Sequence, residues 1–150
     1  MARADFAFRH AERVRYSEVD PQGVVFNARY LDYADIGMTE YLRAARALSG
    51  WPAEAAPQFH VRKAEVDFVR PLFADEAFDI LVRTGAAGRT SITNFVELHG
   101  AGAEDLRAAI RLVAVHVDLA DHRPRPLPVW YAPLFAALDR PVEPSVAGPR

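Results

Sequence analysis

The sequence predicts an α+β fold in which one long helix packs against an antiparallel sheet. Three observations carry this. A single run, Leu31 to Leu48, has extended helical periodicity; four strand-like runs follow it with no second long helix; and glycine-containing turns separate the later runs. At 150 residues, the chain has the length of one domain with a substantial core.

From Phe6 to Ser17, the residues Phe6, Phe8, Val14 and Tyr16 share a phase, which predicts a first strand. Asp20-Pro21-Gln22-Gly23 then interrupts both strand and helix patterns. Asn27 stands where an N-cap belongs. After it, Leu31, Ala34, Met38, Tyr41, Leu42, Ala45 and Leu48 recur on one helical face, with Arg29, Asp32, Glu40 and Arg43 largely opposite. Gly37 interrupts this face and predicts close approach of the helix backbone to the sheet. Ser49-Gly50 is the expected helix end.

Phe59 and Val61 occupy one strand phase, but Ala64, Val66 and Phe68 occupy the other, so a bulge is expected near Lys63. Arg70-Pro71 closes that strand. Phe78, Ile80 and Val82 mark the next, Gly85 to Gly88 a turn, and Arg89 to His99 its hairpin partner. After a second turn at Gly100-Ala101-Gly102, Leu106 to Leu119 is almost continuously apolar, as in a central strand covered on both faces. Seven of the 11 prolines lie from Pro124 onward. The folded core is therefore expected over about residues 8–128, followed by a proline-rich tail with one short helix over Trp130–Leu138 and disorder from Arg140 to Arg150.

Composition narrows the function. There is no cysteine, so disulfides, thiol nucleophiles and thiolate metal sites are excluded. A net charge of −2 gives no sign of a nucleic-acid partner. No apolar run reaches membrane-spanning length, and Met1 to Phe8 lacks the pattern of a signal peptide. A cytoplasmic protein without nucleic-acid or membrane partners is the expectation.

The chemistry concentrates at Asp20. An isolated carboxylate on a constrained loop, just ahead of a helix start, places a base or nucleophile beside backbone N–H groups that favour developing negative charge. That combination suits attack on a carbonyl. Gly23 and the backbone N–H groups near Asn27 are the candidate oxyanion donors.

Asp20-Pro21-Gln22-Gly23-Val24-Val25-Phe26-Asn27-Ala28-Arg29-Tyr30 resembles the signature of hotdog-fold acyl-CoA thioesterases of the 4-hydroxybenzoyl-CoA thioesterase type. The resemblance implies a hotdog fold, a five-stranded antiparallel sheet in order 1-3-4-5-2 wrapped around one long helix. It further implies dimers paired through edge strands, often as tetramers, with sites at the interface. It assigns catalysis to Asp20 and carbonyl polarisation to the backbone N–H at Asn27. Relatives vary between Tyr, His and Asn at the positions of Phe26 and Asn27, and Phe26-Asn27 supplies no imidazole here.

Other candidates stand around this motif. Arg70, Arg89, Arg123 and Arg125 could hold the phosphates of coenzyme A, since guanidinium matches phosphate with forked donors. Phe26 and Tyr30, with Tyr33, Phe59 and Phe68, could line an acyl pocket. Asp32, Asp35 and Glu18 are reserve carboxylates; solvated helix charge is the commoner explanation of the first two. His10, His60, His99, His116 and His122 show no metal-ligand spacing, and no serine-centred nucleophile elbow occurs.

The expected activity is hydrolysis of an acyl-CoA thioester to a carboxylic acid and free coenzyme A, with coenzyme A as part of the substrate and no metal or organic cofactor. Asp20 would activate water or attack directly to give a mixed anhydride. A thiolate leaves readily near neutral pH, so no strong leaving-group acid is required. The rivals are a thioesterase of the same fold acting on acyl carrier protein and a non-catalytic acyl-CoA binder. A hotdog dehydratase would need a histidine paired with a carboxylate near the helix, which this motif lacks.

Overall fold

The structure is a computed structural model and describes residues 1–140. Five strands form one antiparallel sheet: β1 (Phe8–Arg13), β2 (Gln58–Phe68), β3 (Ala77–Ala87), β4 (Ser91–Gly100) and β5 (Leu106–Val117). Their order is β1-β3-β4-β5-β2, the order implied by the resemblance. Two α-helices, α1 (Arg29–Arg46) and α2 (Tyr131–Leu138), lie on the sheet, and short 3₁₀ turns occupy Arg3–Asp5 and Tyr16–Glu18. This is the hotdog architecture.

The buried stripe of α1 is Tyr30, Tyr33, Ala34, Gly37, Tyr41 and Ala45. It packs Tyr33 against Phe78 and Tyr41 against Phe8 and Phe135. Gly37 makes the expected close approach, facing Ile80 and Val82 of β3. Leu31 and Leu48, by contrast, are exposed. The tyrosines, amphipathic enough to sit on either side of a sequence pattern, turn the buried stripe away from Leu31.

The register of β2 against β5 shifts between Val61 and Lys63, where the switch of phase predicts a bulge. Several boundaries differ from expectation. β1 ends at Arg13; the Val14 N–H bonds the Glu76 carbonyl at 2.9 Å and the chain then bends into the Tyr16–Glu18 turn, leaving Tyr16 exposed. β3 continues through Gly85 to Ala87, and the reversal falls at 88–90. α1 stops at Arg46, short of Ser49-Gly50. β5 is buried on one face and half-covered on the other. The predicted terminal helix is α2, and the expected disorder falls mostly on residues 141–150, outside the described residues.

The face of the sheet away from α1 carries buried polar groups. Asp79 accepts from Arg3 at 2.5 Å and from the Gly102 N–H at 2.8 Å, while His99 and Glu97 pair at 2.9 Å. Among the described residues no helix is long and apolar enough to cross a membrane.

Candidate active site

The loop from Asp20 to Phe26 is fixed by its own backbone. The Asp20 N–H donates to the Val24 carbonyl at 2.9 Å, and the Gly23 N–H returns to the Asp20 carbonyl at 3.0 Å. Asp20 Oδ1 accepts from the Gln22 N–H at 2.8 Å, an Asx turn. Gly23 has φ +79°, the left-handed conformation that favours glycine. The loop is then stitched to the segment before β3: Val25 donates to the Leu72 carbonyl, and Val24 bridges Phe73.

This settles how two candidate groups are used. The Gly23 amide is spent on the turn and is not offered to an oxyanion; Gly23 shapes the loop. Asn27 is not the N-cap of α1. The cap position is Ala28, already helical at φ −65° and ψ −23°, with no side-chain cap. The cause is a tight turn ahead of the helix, in which Arg29 donates to the Phe26 carbonyl and Tyr30 to the Asn27 carbonyl. Among the described residues the backbone N–H groups of Asn27 and Ala28 have no acceptor, so both remain available at the positive end of the α1 dipole.

Asp20, Asn27, Tyr30 and Arg70 line a common cleft of about 420 Å³, together with Phe68 and Pro71. Asp20 is half-buried. With Oδ1 held by Gln22, its second oxygen is without a protein partner among the described residues. Tyr30 is buried, its ring edge-on to Phe68 and its hydroxyl accepting from the Leu72 N–H at 3.4 Å; burial raises its pKa. Phe26 is half exposed and lies outside the cleft.

The four arginines separate. Arg70 lines the cleft and pairs with Asp105. Arg89, Arg123 and Arg125 gather at the opposite end of the sheet, where Arg89 accepts from Leu127 and Arg125 donates to His116 through the backbone. The nine steps along β5 from Arg107 to His116 put the two ends roughly 30 Å apart. Arg125 is also engaged by Asp121 at 2.9 Å.

Of the reserve carboxylates, Glu18 accepts from the Tyr33 hydroxyl at 3.0 Å and the Arg15 N–H at 2.6 Å, Asp32 pairs with Arg29 at 3.2 Å, and Asp35 lines a second, apolar cavity. Three features escape the sequence pattern. Arg107 donates to Glu76 and Asp105 and to the Pro71 carbonyl at 2.7 Å, bracing the cleft wall; the accepting carboxylates of Asp105 and Glu76 hold it firmly charged. His60 and His122, far apart in sequence, stack with ring nitrogens 3.0 Å apart. Asn94 is buried within β4. Apart from Arg107 with Asp105, two residues away, these contacts join residues distant in sequence.

The family model of the thioesterase-like superfamily matches residues 14–137. The chain belongs to the thioesterase-like superfamily. An acyl-CoA thioester hydrolase of Escherichia coli, YbgC, is 31% identical over 121 residues, covering 81% of this chain and 90% of the relative. A Thermus thermophilus thioesterase, solved in complex with coenzyme A and zinc, superposes with TM-score 0.76 at 29% identity, covering 92% of this chain and 98% of that one. A Synechocystis 1,4-dihydroxy-2-naphthoyl-CoA thioesterase has the same fold, with TM-score 0.75 at 19% identity, covering 89% and 98%.

Proposed function

We propose that this protein hydrolyses acyl-CoA thioesters to a carboxylic acid and free coenzyme A, acting in the cytoplasm as a homo-oligomer without a metal or organic cofactor. One observation carries the reading: the Asp20 carboxylate, with one oxygen held in an Asx turn and the other unclaimed among the described residues, lines the same cleft as Asn27 at the open start of α1. The similarity to an acyl-CoA thioester hydrolase supports coenzyme A as the thiol.

In the proposed reaction the thioester carbonyl oxygen accepts from the Asn27 and Ala28 N–H groups. Asp20 takes a proton from water as the water oxygen adds to the carbonyl carbon; collapse of the tetrahedral intermediate breaks the C–S bond, and the departing coenzyme A thiolate takes up the proton that Asp20 holds. Alternatively the Asp20 carboxylate adds directly, the thiolate leaves, and water hydrolyses the resulting anhydride. Both routes consume one water and regenerate the carboxylate. Arg70 stands at the cleft to receive phosphate. Arg89, Arg123 and Arg125, at the other end of the protomer, could reach the same coenzyme A only across a subunit boundary.

The test is turnover of a panel of aromatic, short-chain and long-chain acyl-CoAs, followed with a thiol-detecting dye, beside the same acyl groups on acyl carrier protein. Thiol release from the CoA series is expected. Release only from the carrier-protein series would move the reading to the carrier-protein thioesterase, and binding without release to a non-catalytic binder.

A further inference from the structure

The hydrolysis needs two groups at a fixed spacing. The free oxygen of Asp20 must meet the attacking water while the Asn27 and Ala28 N–H groups hold the thioester carbonyl. Both groups stand on the stems of one short hairpin. The Phe26 N–H donates to the Glu18 carbonyl at 2.9 Å, Val19 bridges Val25, and the Asp20 N–H donates to the Val24 carbonyl at 2.9 Å. One stem delivers Asp20 and the other runs into Asn27, so Glu18 and Phe26 close the base of the hairpin. Its bonds to Leu72 and Phe73 fix it to the segment before β3. They do not fix it to α1.

Tyr33 supplies that tie. It stands one turn into α1 and is fully buried. Its ring is set by Phe78, with centroids 4.8 Å apart, and edge-on by Tyr30 at 6.2 Å. Its hydroxyl donates to Glu18 Oε1 at 3.0 Å. Among the described residues this is the one side-chain hydrogen bond between the hairpin and α1. The same Glu18 oxygen accepts from the Arg15 N–H at 2.6 Å, so the carboxylate is also held from the end of β1. Burial and the neighbouring Glu18 carboxylate push the Tyr33 phenol up, and it stays a donor through the neutral range. A phenylalanine ring would serve the core equally; the hydroxyl adds the bond to Glu18.

We propose that Tyr33 and Glu18 are positioning residues: their hydrogen bond locks the hairpin carrying Asp20 onto the helix whose open amides receive the carbonyl, and so sets the spacing between base and oxyanion site. This rests on the reading of Asp20 as the reacting carboxylate. Glu18 takes no proton in the reaction. What it supplies is an acceptor oxygen two residues ahead of Asp20.

The experiment measures kcat and KM for the acyl-CoA turned over fastest, well below each Tm, in Tyr33→Phe, Glu18→Ala and Glu18→Gln. Binding of a non-hydrolysable thioether analogue of that acyl-CoA is followed by calorimetry. Tyr33→Phe is also placed in the Asp20→Asn protein. Tyr33→Phe and Glu18→Ala should each lower kcat by about ten- to a hundredfold, the cost of misplacing a reacting group by about 1 Å or less. KM and analogue binding should hold, because the groups that touch substrate remain. Glu18→Gln keeps an oxygen for both donors and should retain most of the activity. In the Asp20→Asn protein Tyr33→Phe should cost almost nothing further, since two changes acting through one group are not additive. Unchanged kcat in folded Tyr33→Phe, even with a lowered Tm, overturns the proposal and leaves the bond to stability alone. A full further loss in the Asp20→Asn protein also overturns it. So does a large loss of kcat in Glu18→Gln, which would make Glu18 a reacting carboxylate. If Tyr33→Phe fails to fold, Glu18→Ala removes the same bond from the hairpin side and decides by the same kcat criterion. Near-normal kcat in Asp20→Asn, or no turnover of any acyl-CoA, would instead remove the functional reading on which the proposal stands, and the proposal with it.

Discussion

Gly37 of α1 lies so close to Ile80 of β3 that a Cβ atom at Gly37 would come 2.5 Å from Ile80 Cγ2 and 3.1 Å from Val82 Cγ2. Both partners are fully buried, so neither has room to withdraw. Gly37→Ala gains helix propensity of about 1 kcal/mol, but the overpacking costs about 1–3 kcal/mol and can exceed it. A fall in Tm of a few degrees is expected in a thermal melt. A raised Tm would show that α1 can lift off the sheet at no cost.

That contact marks what the sequence could convey. A lone glycine in a helical pattern points to close approach, and the phase change across Lys63 points to the bulge, because each is a local departure from a periodic rule. The strand order came through resemblance, since periodicity carries no information about which strands pair. Asn27 misled because a polar residue before an apolar run is also what a preceding turn looks like. The buried Asn94 and Asp79 were hidden because their partners, Thr84 and Arg3, lie elsewhere in the chain. The cleft itself was legible at Asp20, Asn27 and Tyr30 and, on its far wall, at Phe68 and Arg70; the bracing of that wall by Arg107 was not.

Asp79 ties the N-terminal turn to the sheet. It is 2% exposed; burial pushes its pKa up, but the Gly102 N–H and the Arg3 guanidinium outweigh burial and hold it below its ordinary value of 3.8. A depressed folded-state pKa contributes stability above the unfolded value and loses it as pH falls through the folded one. Asp79→Asn should therefore lower stability by about 1–3 kcal/mol near neutral pH. Its deficit against wild type should shrink as denaturation is repeated below pH 3.8. A deficit independent of pH would make the contact one of shape alone.

β2 is an edge strand of 11 residues, with Val61, Phe68 and the adjoining Val69 exposed. A long, partly apolar edge invites pairing with a second copy, and two-fold pairing satisfies both edges at once. Light scattering at micromolar concentration should give a dimer or tetramer. A fully active monomer would remove the oligomer and any role for Arg89, Arg123 and Arg125 across its boundary.

Arg70 alone among the candidate phosphate ligands lines the cleft. Arg70→Ala should raise KM for acyl-CoA several-fold with little change in kcat, the mark of binding lost equally from ground and transition states. The effect should weaken at high salt, because the side chain is exposed and screened. The same measurement on Arg89→Ala and Arg123→Ala reads whether a partner subunit brings those arginines to the site. If KM moves for neither Arg70→Ala nor these variants, the phosphates are held by other groups.

Asp20→Asn isolates the chemistry. The loop depends on the Asp20 backbone, which bonds Val24 and Gly23, and on Oδ1 accepting from Gln22. An asparagine side chain supplies that same acceptor, so the Asx turn should persist and Tm should change little. The amide can neither take a proton from water nor form an anhydride. Loss of a positioned base costs about 10²–10⁴ in rate, and kcat should fall by at least about a hundredfold. KM should hold, because the Asn27 and Ala28 amides and Arg70 are untouched. The pairing of lost kcat with retained Tm and KM is what separates a reacting group from a turn former, for which asparagine is an adequate replacement. Near-normal kcat in the folded variant would reduce Asp20 to the turn. Glu18, engaged by Tyr33 at 3.0 Å, and Asp35, on the second, apolar cavity, would then be the carboxylates to replace next.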